Sequence, residues 1–233
     1  MGAACAERLA ARGPVIIVDV KDDRLALVST DLRAKGYTIL SVHGDVTDAF
    51  TVREVVKMVS GLGTFGTLVN TAGLAASMAA PERVVRVNLL GTALMLEALL
   101  PLATAGSTAI LIASGLGYTF KPKATAAIDK VLASPLEPAF FDKLSELYEP
   151  WPKDPYSVSK YGVQLLAVKA ARSWGERGAR VLSISPGLVR TPMSEIAIQQ
   201  SPAAMQSLRD KASFMTGMDV LIDGGLTNVA WSI

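Results

Sequence analysis

Short apolar runs recur along this chain between longer segments of helical pattern, and that alternation constrains the fold more than any other feature. Val15–Val18, Thr38–Val42, Ala109–Ala113 and Arg180–Ile184 read as strands, Leu68–Val69 ends a shorter one, and Asp219–Ile222 is a last one. These runs are continuous rather than alternating, the pattern of strands buried on both faces of a parallel sheet. Between them lie helical segments at Ala3–Arg12, Asp23–Lys35 (stopping at Gly36), Thr51–Ser60 (stopping at Gly61), Pro81–Leu102 (interrupted in pattern by Gly91), Pro155–Arg177 and Ser201–Asp210. Strands alternating with helices predict an α/β, doubly wound parallel sheet of the Rossmann-like kind. No repeat or linker divides the 233 residues, so a single domain, 1–233, is expected.

Composition narrows the functional classes. The net charge of +2 comes without a Lys/Arg cluster, so no nucleic-acid partner is expected. The single cysteine excludes an intrachain disulfide or a cysteine zinc site, and the single histidine excludes a His-rich metal site and most Ser–His catalysis. No metal is therefore expected, and His43 reads as a strand-end residue. Leu89–Ala105 is apolar but contains Glu97, which reads as a buried helix and no membrane span. No basic-then-apolar leader pattern is visible, and Ala6 stands where a myristoylation signal needs Ser or Thr. A cytoplasmic protein is expected.

In doubly wound sheets, ligands bind beyond the carboxyl ends of the strands. Asp19 ends the first run, where a carboxylate accepts from an adenosine ribose or caps a helix. Asp45, in Gly44-Asp45-Val46, stands ready for an adenine amino group, although Asp45 and Asp48 also suit helix caps. Asn70-Thr71-Ala72-Gly73 offers small residues for the close approach of a flat dinucleotide, with Asn70 bracing neighbouring strands. Ser114 brings a hydroxyl to the same edge, and Ser185-Pro186-Gly187 ends a further strand. Tyr156 and Lys160 lie one helical turn apart and share a face. An ammonium beside a phenol favours the phenolate, which moves Tyr towards the range of general acid–base catalysis.

With Asn88 in Val87-Asn88-Leu89-Leu90-Gly91 and the terminal Ile222-Asp223-Gly224-Gly225, these motifs make the chain resemble the short-chain dehydrogenases/reductases along nearly its whole length. The resemblance implies a tetrad. Tyr156 would move the proton, and Ser114 would orient the substrate oxygen. Lys160 would lower the Tyr156 pKa and bind the nicotinamide ribose, and Asn88 would hold a water linking Lys160 to solvent. It also implies an NAD site made by Gly2, Asp19, Asp45, Val46, Asn70, Ala72, Gly73, Tyr156, Lys160, Pro186, Gly187, Val189 and Thr191. Thr191 would bind the carboxamide. Asp19, without an adjacent Arg, disfavours NADP, although Lys21 lies near.

Ser114 and Tyr156 are 42 positions apart. The intervening insertion, 117–154, is rich in Pro, Ala and aromatics and resembles the 3α-hydroxysteroid dehydrogenase/carbonyl reductase branch. There the insertion serves subunit contact. An apolar excursion of this size must be buried, by a partner subunit or as a wall of the substrate pocket. A homodimer or homotetramer acting on a small apolar alcohol or ketone, steroid- or terpenoid-like, is the expectation. The alternative is an inactive relative acting through oligomer contacts.

Two departures accompany the resemblance. The family begins with a strand and a glycine-rich loop, whereas Gly2 looks like the last glycine of that loop, so an N-terminally truncated member is expected. Without that strand, its two neighbours have open edges or the sheet closes over the gap. Between Met193 and Phe214, the lid-like Ser194–Asp210 runs on without the family's next helix.

Overall fold

The computed structural model describes residues 1–148 and 154–187. Five strands are present: β1 Val15–Asp19, β2 Ile39–His43, β3 Thr67–Asn70, β4 Thr108–Ile112 and β5 Arg180–Ile184. All described pairings are parallel, with Val15 opposite Ile39, Leu68 opposite Ala109, and Ile110 opposite Leu182. The expected run Asp219–Ile222, the segment Ser201–Asp210 and the Gly224-Gly225 turn lie outside the described residues.

The parallel α/β fold is as expected, and of the two outcomes the sequence left for the gap the open-edged one is present: two parallel sheets, β1–β2 and β3–β4–β5. Among the described residues no ladder joins β1 to β3, so both present open edges to one another's side of the fold. Helices bridge the division. α1 (Gly2–Ala10) packs on both β1 and β3, and α3 (Ala49–Leu62) packs on β1 and β2 and also on the helix Gly91–Leu99 of the main core. The apolar packing follows the same split. Ala6, Ala10, Leu32 and Ile39 form a small cluster with Val15 and Ile17 around it, whereas Val18 and Val42 pack on the main core.

Local sequence explains the helix boundaries. α2 (Asp22–Ala34) ends as predicted before Gly36, whose φ of +87° suits glycine. α3 runs past Gly61 to Leu62, and Gly63, at φ +107°, ends it. Asp48 caps α3 by accepting from the Thr51 amide at 2.9 Å. α9 (Pro155–Gly175) has Pro155 in its first turn, and Asp154 caps it by accepting from the Ser157 amide at 3.0 Å.

The 81–102 segment is not one regular helix. α4 (Pro81–Val85) passes into a π-turn at Arg86–Leu90 before α5 (Gly91–Leu99) and a final 3₁₀ turn. The Gly91 amide donates to the Arg86 carbonyl, five residues back. A Cβ on Gly91 would come within 2.7 Å of Val46 Cγ2, so the pattern break at Gly91 marks close packing against the loop after β2. The segment is long and apolar enough to span a membrane by length and composition. Here Val84, Val85 and Leu89 are wholly enclosed in the core.

The insertion folds as α6 (Gly117–Phe120), α7 (Ala126–Leu132) and α8 (Phe140–Leu147). Phe120, Ile128, Leu132, Phe140 and Leu144 are buried within the chain itself. α6 and α7 lie on α9, where Tyr161 donates to Asp129 at 3.0 Å and Lys169 to Ser134 at 2.8 Å. Arg86 stacks over Phe141 at 4.2 Å. Among the described residues most of the apolar excursion is thus covered by its own chain; Tyr118, Leu136 and Leu147 are exposed.

Candidate active site

The carboxyl ends of β1, β3, β4 and β5 carry Asp19, Asn70–Gly73, Ser114 and Ser185–Gly187. The parallel ladders put these segments on one side of each sheet. α9 brings Tyr156 and Lys160 to the β4 end. Burial pushes the Tyr156 pKa up; the neighbouring Ser114 hydroxyl opposes that shift, and the charge of Asp154 adds to it. Lys160 is 5% exposed, donates to the Ile112 carbonyl at 2.7 Å, and is held down to about 8 by burial.

This corrects one expectation. The Lys160 ammonium does not lower the Tyr156 pKa in this arrangement. Its partner is a backbone carbonyl, and it sits 5.8 Å from the centre of the Tyr156 ring. Desolvation therefore dominates the phenol, as it does for a buried acid without a close counter-charge.

Asn88 lies in the π-turn with no exposed surface. Its Oδ1 accepts from the Leu74 amide at 2.7 Å, and its Nδ2 donates to the Leu74 carbonyl and to Ser159 Oγ, both at 3.0 Å. Both amide hydrogens are thereby used, so the side chain clamps Leu74 and Ser159 together, and its Oδ1 keeps a second lone pair. Its backbone carbonyl accepts from Thr92 Oγ1 at 2.7 Å. Asn70 was expected to brace strands; it instead ties β3 to α5, donating to Thr92 Oγ1 at 2.6 Å.

The predicted dinucleotide residues fall into groups. Gly73 faces the tetrad, and a Cβ there would stand 3.2 Å from Asn88 Oδ1 and 3.4 Å from Lys160 Nζ. Ala72 packs on the main core beside it. Gly2 lies against Thr71, with its would-be Cβ 2.8 Å from the hydroxyl. The first amides of α1 have no side-chain cap. Asp19 does not cap α2; its Oδ1 accepts from the Lys21 amide at 2.8 Å. Val46 is buried under Gly91, so its side chain is core and only its backbone is available to a ligand. Pro186 continues the β4–β5 pairing, accepting from the Gly115 amide at 2.9 Å, and Gly187 is exposed beyond it. Val189 and Thr191 lie outside the described residues.

Comparison with known proteins decides the family. The short chain dehydrogenase profile matches residues 1–126, more than half the chain. The chain is a short-chain dehydrogenase/reductase. A profile described as enoyl-(acyl carrier protein) reductase matches residues 149–209. The chain is 28% identical over 252 residues to the short-chain dehydrogenase/reductase bsc3 of Alternaria brassicicola, covering 97% of this chain and 91% of that one. It is 30% identical to trans-4-hydroxycyclohexanecarboxylate dehydrogenase of Sinomonas cyclohexanicum, covering 97% and 88%. The crystal structure of a dehydrogenase/reductase from Sinorhizobium meliloti 1021 superposes with a TM-score of 0.62 at 25% identity, covering 82% and 69%.

This short-chain dehydrogenase/reductase is thus an oxidoreductase acting on alcohols or ketones, in a family that uses nicotinamide cofactors. Sequence reasoning missed three of its site neighbours. Ser159 joins Asn88 to the Tyr156 carbonyl, to which it donates at 2.8 Å. Thr92 links Asn70 to the π-turn. Arg83 pairs with Asp45 and donates to Thr47 Oγ1 at 3.1 Å. Ser159 lies within the quoted Tyr156–Lys160 motif, but Thr92 and Arg83 carried no signal of their own.

Proposed function

We propose that this enzyme transfers a hydride between NAD and an apolar secondary alcohol or ketone, with Tyr156 as the proton-transfer group. The observation that carries the reading is Tyr156 gathered with Ser114, a buried Lys160 5.8 Å from its ring centre and a clamped Asn88. Ser114 orients the substrate oxygen, and Tyr156, kept protonated by burial, donates to the developing alkoxide on reduction. The residues fit a nicotinamide cofactor. Gly73 leaves space where a side chain would press on Asn88 and Lys160, and the uncapped amides at Gly2 and beyond suit a pyrophosphate. When bound, the cofactor supplies or accepts the hydride. Asp19 and Asp45 take its adenosine half, and Asp19 favours NAD over NADP by charge. Pro186 and Gly187, with Val189 and Thr191, serve the nicotinamide end.

Two observations favour a carbocyclic alcohol that is apolar around its hydroxyl. The aromatic insertion packs against α9, the helix of Tyr156, and a relative is named for trans-4-hydroxycyclohexanecarboxylate, a ring alcohol with a carboxylate away from the hydroxyl. A cytoplasmic homodimer or homotetramer completes the reading. Titrating NADH into the 233-residue chain, with cofactor fluorescence as signal, is the test. Saturable binding weaker for NADPH, followed by turnover of cyclic ketones, supports it. A folded, monodisperse sample that binds neither cofactor would favour the inactive relative.

A further inference from the structure

Asp45 sits one residue past Gly44, whose amide donates to the Asp19 carbonyl at 3.1 Å. The two carboxylates therefore stand at neighbouring strand ends. Asp45 Oδ1 accepts from both the amide and the hydroxyl of Thr47, at 2.8 and 2.7 Å. A carboxylate oxygen offers about two lone-pair directions, so Oδ1 is filled and the orientation of the group is already determined. Oδ2 carries the ion pair with Arg83, which is anchored from the other side on Thr47. Burial raises the Asp45 pKa, but the bonds from Thr47 and Arg83 outweigh it and hold the carboxyl below its usual range. Asp45 is thus ionised, oriented without Arg83, and left with one acceptor direction beside a guanidinium.

We infer that Arg83 attenuates adenosine binding: it shares the Asp45 oxygen that an adenine amino group would use, making Arg83, on α4 just before the π-turn of Asn88, a specificity-determining residue. The inference rests on the proposed role of Asp45 in the adenosine half of the site. An amino group approaching Oδ2 meets an acceptor already shared with a cation and must either displace Arg83 or accept a weakened bond. Arg83 is 42% exposed at its side chain, so it has room to swing outward, and its departure restores a full carboxylate acceptor. Because Thr47 keeps Asp45 in place, removing Arg83 does not loosen the acceptor.

The test measures dissociation constants of the full chain for NADH and for reduced nicotinamide mononucleotide, which lacks adenosine. Arg83→Met should tighten NADH by roughly three- to tenfold, the scale of one recovered hydrogen bond, and leave the mononucleotide unchanged. Adding Asp45→Asn to Arg83→Met should erase the gain. Arg83→Gln, which keeps a donor without the charge, takes its place if the Met variant fails to fold, with a smaller gain expected. Unchanged or weaker NADH binding in folded Arg83 variants, while the parent chain binds NADH, overturns the inference and leaves the proposed function standing. A folded parent chain that binds no NADH overturns both.

Discussion

Asn88 Nδ2 donates to Ser159 Oγ at 3.0 Å across 71 residues of sequence, and neither side chain has any exposed surface. This bond ties the π-turn of the 81–102 segment to the helix that carries Tyr156 and Lys160. A buried network of this kind is rigid only while every member is satisfied. Ser159→Ala removes one link and leaves Asn88 with the Leu74 carbonyl. A loss of about 0.5–1.5 kcal/mol is expected, lowering Tm by a few degrees, with kcat falling more than KM. An unchanged Tm and kcat would show the link to be idle.

Tyr156→Phe keeps the ring and deletes the hydroxyl on which Ser114 acts. Turnover should drop by about 10²–10⁴-fold or more, while NADH affinity stays nearly the same. Steady-state rates with a binding titration separate the two. Retained activity would remove Tyr156 from proton transfer.

Lys160 gives a pH signature in stability. Burial disfavours the ammonium and holds its folded pKa down to about 8, from the 10.5 of an ordinary lysine. Between these values the unfolded chain binds the extra proton, so stability rises with pH across that window and the cost of the buried charge is fully present below it. Lys160→Met should therefore be more stable than the parent at pH 7 and should lack this rise, while losing activity. Chemical denaturation from pH 7 to 10 checks the slope.

Gly73 is where a single methyl group should matter. In Gly73→Ala the Cβ would lie 3.2 Å from Asn88 Oδ1 and 3.4 Å from Lys160 Nζ, tight contacts on two groups that cannot retreat far. The variant should fold, bind NADH more weakly and turn over more slowly. Unaltered binding would place the cofactor elsewhere.

The insertion supplies a fifth handle. The Tyr161 phenol is pushed up to about 12, by burial first and then by its bond to Asp129, so it remains a donor at every physiological pH. Tyr161→Phe should loosen α7 from α9 and speed proteolysis within 117–148. An unchanged cleavage pattern would mean that the apolar contacts of Phe120, Ile128 and Leu132 suffice.

Much of this architecture is legible along the chain. β5 occupies the predicted Arg180–Ile184, and α2 ends at the predicted Gly36, because periodicity and a glycine at positive φ are local properties. The Gly91 break was visible too, although only packing against Val46 explains it. Less legible was the chemistry of the site. The Tyr156–Lys160 spacing suggested an ammonium lowering a phenol pKa, yet the carbonyl of Ile112, on another element, takes the ammonium. Asp45 showed its acidity in the sequence but not the guanidinium 38 residues away that shares it.

By itself the sequence determined the order of strands and helices, the parallel character of the pairing, and which residue types stand at the strand ends. These depend on hydrophobic period and turn chemistry within a few residues. Tertiary structure alone decided that β1 and β3 are not joined by a ladder, that the insertion is covered largely by its own chain, and which partners Asn88, Lys160 and Asp45 take. Such outcomes turn on side chains far apart in sequence meeting in a low-dielectric interior. There, desolvation and the nearest available acceptor outweigh what spacing along one helix implies.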